Sequence, residues 1–186
     1  CARLSGTAPT LLIAITQSAA TDPAPARTRA CPADDAVAPR FEDGCHVSEA
    51  TYWAEYYHAA DICYEWNNGR LEEKPVSSWE TIAVYNWLMG LLEHFLRVYP
   101  IADSVVLEMG FRLPLPRKTV IRKPDFGIVH NDNPVPLGLQ DHSYRGVYDI
   151  CIEALSDRKR ADVIRDTVTK RDEYATGGVR EYYILH

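Results

Sequence analysis

The sequence predicts a fold of the α/β or α+β class. Apolar residues recur every three or four positions over 78–99, the spacing of an amphipathic helix, and shorter helical patterns lie at 48–57 and 158–175. Apolar and polar residues alternate over 104–113 and 148–155, the spacing of half-buried strands. Helices followed by strands, a helix and a last strand are typical of these two classes.

Composition limits the kind of protein. The chain has 186 residues, 46% of them apolar, which is typical of a single domain with a full hydrophobic core. Its apolar runs are far shorter than the roughly 18–20 residues of a bilayer-spanning helix, so we expect no membrane association. Five cysteines without a Cys-x-x-Cys motif predict no disulfide framework or cysteine zinc site and favour the reducing cytoplasm. The net charge of −6 argues against a protein that coats polyanions nonspecifically.

The two ends of the chain suggest a fragment. Residues 1–40 are rich in Ala, Pro, Thr and Arg and have almost no hydrophobic periodicity, which predicts a disordered or misassigned leader. The five apolar residues Leu11–Ile15 are too few for a signal-peptide core. We expect the folded domain to occupy 41–186. It stops in an apolar, strand-like run, so we expect it to be truncated at the C-terminus.

The first half of the domain contains a helix, a hairpin and a longer helix. Ser48 is a plausible N-cap for a helix over 49–57. Asn67-Asn68-Gly69 tolerates the positive φ of a tight turn and predicts a hairpin of 62–66 with 70–73. Ser77 or Ser78 then begins a helix that ends near Pro100. Its apolar residues predict a core-facing stripe: Ile82, Tyr85, Leu88, Leu92, Phe95 and Tyr99.

The second half supplies the predicted strands. Residues 104–113 predict one strand, and 119–129 predict a second that Pro124 interrupts. Residues 131–146 are rich in proline, glycine and polar residues and indicate a loop. A third strand over 148–155 is followed by a charged helix over 158–175, which Gly177-Gly178 ends, and by a last strand over 179–185.

Two acidic residues stand at strand positions. Asp125 follows Pro124 directly, and Glu153 lies between Ile152 and Ala154. An ionised carboxylate removed from water costs several kcal/mol unless it is paired or bound to metal. If the two strands are neighbours, both carboxylates can converge on one ion. Mg²⁺ is held by one or two protein carboxylates together with waters and phosphate oxygens, so a magnesium site is expected.

Lys170 is the candidate cation for balancing charge on a phosphate and positioning an attacking water. It shares a helical stripe with Val163, Thr167 and Tyr174, which allows it to face the sheet. The alternative from spacing alone is a surface ion pair with Asp166, four residues earlier.

Basic residues are concentrated in 104–130, where five bases accompany the acids Glu108 and Asp125. A phosphate-binding edge could be built from them, although two of the bases could simply decorate a turn. The five are Arg112, Arg117, Lys118, Arg122 and Lys123.

Several of these segments together resemble a known family. Arg122-Lys-Pro-Asp125, the run Cys151–Ser156, and Lys170 followed by Tyr174–Leu185 are similar to the Uma-two family of endonucleases, within the PD-(D/E)xK nuclease superfamily. The hairpin Glu65–Glu72 matches an early acidic element of that family. The resemblance covers about residues 47–185 and implies an α/β, restriction-endonuclease-like domain with a mixed central sheet flanked by helices.

The resemblance also implies roles for particular residues. Asp125 and Glu153 are the implied metal-binding acids, and Ala154 contributes its backbone carbonyl. Glu65 is the implied accessory acid, although it could instead cap the hairpin or pair with Arg70. The superfamily lysine two places after the acid is replaced here by leucine, so the implied catalytic lysine is Lys170 on the following helix.

Together these features predict a Mg²⁺- or Mn²⁺-dependent endonuclease that hydrolyses DNA phosphodiester bonds. We expect Lys170→Ala to weaken cleavage while leaving folding intact. A homodimer, which would cut both strands, is neither required nor excluded by the sequence. The alternative is an inactive interaction or DNA-binding module whose acids are paired with Arg122, Lys123 or Lys170.

Overall fold

A computed structural model of the protein describes residues 43–59, 61–75, 77–155 and 159–185, without the side chains of 103–106. The predicted leader 1–40 and the predicted helix start at Arg158 lie outside these residues. Every structural statement below refers to the described part of the chain.

The N-terminal helix and the hairpin form as predicted. Helix α1 (Glu49–Thr51) begins at Ser48, whose hydroxyl accepts a hydrogen bond from the Thr51 amide at 3.0 Å. A π-helical segment, Tyr52–Tyr56, continues it. Strands β1 (Tyr64–Asn67) and β2 (Arg70–Glu73) then form an antiparallel hairpin.

The turn of this hairpin requires two residues with positive φ. Asn68 has φ 49° and Gly69 has φ 101°. Asparagine and glycine tolerate this left-handed region better than other residues, which is why they close a two-residue hairpin whose twist matches the strands.

In the described residues, eight strands form two four-stranded sheets. The first sheet has the order β2-β1-β5-β4, and all of its pairs are antiparallel. The second sheet has the order β3-β6-β7-β8 and is mixed, because β7 and β8 run parallel. The remaining strands are β3 (Ala102–Leu107), β4 (Phe111–Pro114), β5 (Thr119–Arg122), β6 (Phe126–His130), β7 (Ile150–Ala154) and β8 (Glu181–Leu185). The predicted α/β class and mixed sheet are therefore confirmed.

The predicted continuous strand over 104–113 is wrong, whereas the predicted interruption of 119–129 at Pro124 is confirmed, because each segment is divided between the two sheets. In the first, Glu108 adopts φ 51°, which interrupts the extended backbone between β3 and β4. In the second, Pro124 lies between β5 and β6, and proline has no amide hydrogen for the ladder. Apolar alternation continues through the break at Glu108, so periodicity alone does not reveal it. The division leaves Asp125 where the chain passes from one sheet to the other.

Helix α2 (Trp79–Val98) begins at Ser78, as predicted, but its stripe faces the core only in the middle. Leu88 is buried against Phe126 and Ile152, with Tyr85, Met89 and Leu92 partly buried around it. The ends of the predicted stripe are exposed: Ile82 by 39%, Phe95 by 45% and Tyr99 by 57%. The helix has 20 residues and is about 30 Å long, whereas the strands of the second sheet have five or six residues. It is therefore longer than the sheet face that it covers.

The last helical region is continuous over 160–177. It consists of α3 (Arg160–Ile164), a π-helical segment Arg165–Lys170 and α4 (Arg171–Gly177). Gly178, with φ 95°, ends it in the left-handed conformation. Helix α4 packs on β4 of the first sheet and β8 of the second, which brings the preceding π-helical segment to the junction of the two sheets. No helix in the described ranges has the length and apolar character needed to cross a membrane.

Candidate active site

Asp125 is buried beside Ala154, the residue that follows Glu153. One of its carboxylate oxygens accepts a hydrogen bond of 2.6 Å from the Ala154 amide, and the other lies 2.6 Å from the ammonium of Lys74. Burial raises the pKa of this carboxyl, but Lys74 and the Ala154 amide outweigh burial and hold the pKa below its usual value. Asp125 is therefore a charged carboxylate, although the residue is only 3% exposed.

Glu153 lies on β7, adjacent to Asp125. Phe126 of β6 pairs with Ile152 of β7, and continuing this antiparallel register by one residue places Asp125 opposite Glu153, on the same face. The Glu153 carboxylate accepts hydrogen bonds of 3.0 Å from both Lys170 and the Tyr174 hydroxyl. Burial, opposed by Lys170 and reinforced by Asp125, raises the pKa of Glu153 to about 8. The structure thus brings the two predicted acids together in distinct electrostatic environments.

Lys170 is directed into the protein, toward the sheet, as its stripe predicts. Its Nζ lies 3.0 Å from Glu153, 3.3 Å from Glu65 and 3.1 Å from Asp166. The pair with Asp166 exists, but it is buried rather than on the surface. Burial lowers the pKa of Lys170, yet the three carboxylates outweigh it and hold the pKa well above its usual value. Lys170 is therefore a permanently charged hydrogen-bond donor.

The π-helical segment contributes to this arrangement. A π-helix has more residues per turn than an α-helix, so it changes which side chains face the sheet. Both Asp166 and Lys170 are buried within the segment, and Glu173 and Tyr174 are buried directly after it. A periodicity of 3.6 residues places Asp166, Lys170, Glu173 and Tyr174 on this one face, but it offers no reason for three charged residues to be buried there.

Glu65 is held by the segment Arg122-Lys123 rather than by Arg70. One oxygen accepts a hydrogen bond of 2.8 Å from the Lys123 amide, and the other lies 3.0 Å from the Arg122 guanidinium. Burial raises the pKa of Glu65, but Lys170 and Arg122 outweigh burial and lower it well below its usual value. Glu65 therefore connects β1 to Lys170 and to the end of β5.

Arg122 is fully buried and forms a second ion-pair cluster. It binds both oxygens of Glu173 at 2.7 and 3.0 Å, and it lies 2.5 Å from Glu72 as well as 3.0 Å from Glu65. Such a bidentate pair has strict geometry, so Arg122 holds α4 against the first sheet. This role is structural.

The structure does not support the predicted phosphate-binding edge over 104–130, because four of its five bases already have partners within the same chain. Arg112 pairs with Glu49, and Lys118 lies 2.5 Å from Glu173. The Lys123 ammonium donates to the Tyr57 carbonyl, and Arg122 is occupied as described above. Net charge counted along the sequence does not show which bases are neutralised by acids from distant segments.

Lys74 and Tyr85 contact Asp125 without having been predicted. Lys74 follows β2 directly, and Tyr85 of α2 is close enough to the Asp125 side chain to help lower the pKa of its carboxyl. No periodicity identifies Lys74, because it lies just outside a strand and beside Pro75. For Tyr85, apolar spacing indicates only a core position.

A cavity of about 720 Å³ opens beside these residues, between α2, the π-helical segment and the ends of β7 and β8. Three cationic and five acidic side chains line it, so its formal charge is −2. They are Lys74, Arg165 and Lys170 against Glu80, Asp125, Glu153, Asp162 and Asp166. An acidic cavity repels a phosphodiester unless a cation enters with it.

The donors at the cavity fit a hard divalent cation. Across the residues that the structure describes, no three His, Cys, Asp or Glu side chains form a group that could hold a metal ion, so a protein-only cage is absent there. Asp125 and Glu153 supply two carboxylates, and Mg²⁺ is commonly bound by one or two of these with waters and substrate oxygens completing the shell. Oxygen donors without histidine or thiolate favour Mg²⁺ or Mn²⁺ over zinc.

A family model and a solved structure are similar to this chain. The family model Uma2, described as "Putative restriction endonuclease", matches residues 53–186. No curated protein matches the chain. A crystal structure described as a putative nuclease belonging to DUF820 from Anabaena variabilis ATCC 29413 is similar, with a TM-score of 0.46 and 17% identity. The similarity covers 57% of this chain and 59% of that one, so this chain spans less than two thirds of the solved structure.

Proposed function

Since the chain belongs to the Uma2 family of restriction-endonuclease-like proteins, as its motifs predict, we propose that it is a Mg²⁺- or Mn²⁺-dependent endonuclease that hydrolyses phosphodiester bonds of DNA. The observation that carries the proposal is the pair of buried carboxylates, Asp125 and Glu153, side by side at the wall of an acidic cavity. Two adjacent carboxylates removed from water favour the binding of a divalent cation, and phosphate is the substrate group that shares such a cation.

The proposed site uses residues from both sheets. Asp125, Glu153 and the Ala154 carbonyl would hold the ion. When bound, it would neutralise charge on the scissile phosphate and lower the pKa of a coordinated water. The Ala154 amide fixes the orientation of the Asp125 carboxylate through a bond of 2.6 Å, so that acid is positioned before any substrate arrives.

Lys170 would act by donating hydrogen bonds rather than by accepting a proton. Its raised pKa keeps the ammonium charged, so it is not a general base. It would orient the oxygen of the attacking water and balance negative charge that accumulates during phosphoryl transfer. Glu65 is a positioning residue, because its contact of 3.3 Å with Lys170 and its bond to the Lys123 amide join the lysine to the first sheet.

One observation favours a second function. Each of the two acids already contacts a lysine, Lys74 at Asp125 and Lys170 at Glu153. A protein in which these pairs are permanent would be an inactive DNA-binding or interaction module. The two functions differ in whether a divalent ion binds at Asp125.

A metal titration distinguishes the two functions. The melting temperature of the wild type should rise with Mn²⁺ or Mg²⁺, because a ligand that binds the folded state stabilises it, and Asp125→Asn should abolish the rise. Wild-type protein should also nick DNA in Mn²⁺ and not in EDTA. A melting temperature that does not respond to either ion in the wild type, with no nicking, would favour the inactive module.

Two further proposals accompany the function. Cleavage of both strands of a duplex would use a homodimer, which sedimentation velocity with and without DNA tests. The location we propose is the cytoplasm, where the free thiols of Cys45, Cys63 and Cys151 would stay reduced.

A further inference from the structure

Lys74 is a buried cation at the candidate metal site that the proposed function leaves unused. Its side chain is 9% exposed and lines the same cavity as Asp125 and Glu153. Its backbone amide bonds to the Cys63 carbonyl at 2.8 Å, which anchors the residue at the end of the hairpin. The anchored backbone leaves the long side chain as the part able to change position.

The surroundings of the Lys74 ammonium are oxygen atoms of the kind that a hard metal ion also prefers. Nζ lies 2.6 Å from an Asp125 carboxylate oxygen, 2.9 Å from the Lys123 carbonyl and 3.4 Å from the Glu108 carboxylate. The shortest of these contacts is to a predicted metal ligand. Two cations against one carboxylate oxygen repel each other, so Lys74 and a divalent ion would compete for Asp125.

Lys74 also has a second acid available to it. The Glu108 carboxylate lies 3.4 Å from the ammonium, and its side chain is 52% exposed, whereas Asp125 is buried. Glu108 adopts φ 51° in the break between β3 and β4, so it is carried by a turn rather than by a strand. An ammonium that leaves Asp125 can therefore remain paired by moving toward Glu108 and solvent.

Lys170 differs in this respect. It contacts Glu65 and Asp166 in addition to Glu153, so it stays paired whatever binds to Glu153. Lys74, in contrast, has one buried carboxylate partner, and that partner is the acid nearest the Ala154 amide. Lys74 is therefore the lysine that a metal ion would displace, because the two compete for the Asp125 carboxylate.

We infer that Lys74 is an internal counter-cation of Asp125, which competes with the divalent ion for that carboxylate and moves to Glu108 when the ion binds. This inference rests on the proposed metal site. It explains how two adjacent buried acids are tolerated without metal, since the ammonium compensates the Asp125 charge. It also makes Lys74 a positioning residue that sets the affinity for metal.

The test measures Mn²⁺ binding to the full chain by isothermal titration calorimetry. Lys74→Met removes the competing charge at similar volume, and we expect it to tighten Mn²⁺ binding by about tenfold or more. Lys123→Met is the matched control, because this neighbouring buried lysine donates to the Tyr57 carbonyl and not to an acid of the site. The control should keep the wild-type affinity. Equal or weaker binding by Lys74→Met would overturn the inference.

A second variant has the opposite expected sign and changes an exposed residue, so it keeps the inference testable if Lys74→Met does not fold. Glu108→Gln removes the alternative partner, holds Lys74 at Asp125 and should weaken Mn²⁺ binding by about threefold or more. Unchanged affinity in this variant would overturn the proposed movement.

Failure of the inference and failure of the proposed function give different results. If wild type binds Mn²⁺ and Asp125→Asn does not, while Lys74→Met and Glu108→Gln match wild type, only the inference is wrong. If neither wild type nor Lys74→Met binds Mn²⁺, the metal site itself is wrong, and the inference fails with it.

Discussion

Lys170 donates a hydrogen bond of 3.0 Å to Glu153, and both side chains are only 2% exposed. The bond joins the π-helical segment to the strand that carries one of the two candidate metal ligands. An ion pair at this depth has structural consequences whatever its catalytic role, because a buried charge that loses its partner is costly.

Lys170→Met should destabilise the protein, contrary to the expectation from sequence that removal of this lysine leaves folding intact. Three carboxyl groups face its ammonium, and deletion of the charge removes the one cation that all three contact. We expect the free energy of unfolding to fall by about 3 kcal/mol or more. Urea denaturation measures it, with the exposed Lys159→Met as control. A loss below about 1 kcal/mol would show that the carboxylates are neutralised in another way.

Arg122→Lys tests whether charge alone is sufficient in the second ion-pair cluster. Lysine keeps the positive charge but cannot bind both oxygens of Glu173 as the guanidinium does. The expected loss is about 2–3 kcal/mol of unfolding free energy, measured by thermal and urea denaturation. Arg117→Lys makes the same chemical change on the surface and should be neutral. Equal stability of the two variants would contradict a geometric role for Arg122.

Gly177→Ala and Gly90→Ala should have opposite effects. A Cβ at Gly177 would overlap the buried Leu113 side chain, so either this side chain or α4 would have to shift. We expect a loss of about 1–3 kcal/mol. Gly90, inside α2, has no atom within 4 Å of such a Cβ, and alanine there should stabilise by about 0.5–1 kcal/mol. Differential scanning calorimetry of both variants checks the two signs.

The raised pKa of Glu153 predicts how the free energy of unfolding changes with pH in the absence of metal. Its pKa is raised to about 8 in the folded protein, mainly by burial, so the folded chain keeps a proton that the unfolded chain releases at lower pH. The free energy of unfolding should therefore fall between about pH 5 and pH 8, at up to about 1.4 kcal/mol per pH unit from this group.

Glu153→Gln removes the titrating group and should make that slope less steep. Urea denaturation in EDTA across the same pH range measures it. Glu93→Gln, on the exposed surface of α2, should keep the wild-type slope. A wild-type free energy that rises with pH over this range would contradict a protonated Glu153.

Local elements of the fold were predictable because their causes lie within a few residues. Ser48 and Ser78 cap their helices through the amides of Thr51 and Thr81. Gly178 ends the last helix with a positive φ. In each case the hydrogen bond or the dihedral angle depends on neighbours in sequence, so a residue pattern is sufficient to predict it.

The division of the strand predicted over 104–113 was not predictable from alternation. Glu108 interrupts the backbone, yet apolar residues on both sides of it keep the same period. The two halves pair in different sheets, and this pairing depends on hydrogen bonds to strands far along the chain.

Residue types and spacing thus sufficed for the helices, the hairpin, the family and the choice of Asp125, Glu153 and Lys170 as candidates. Only the tertiary structure determines which charges neutralise each other: Glu173 pairs with Arg122, and Lys74 pairs with Asp125. The reason is the range of the forces involved. Caps and turns act over three or four residues, whereas a buried ion pair forms between whichever side chains the packing of distant segments brings within about 4 Å.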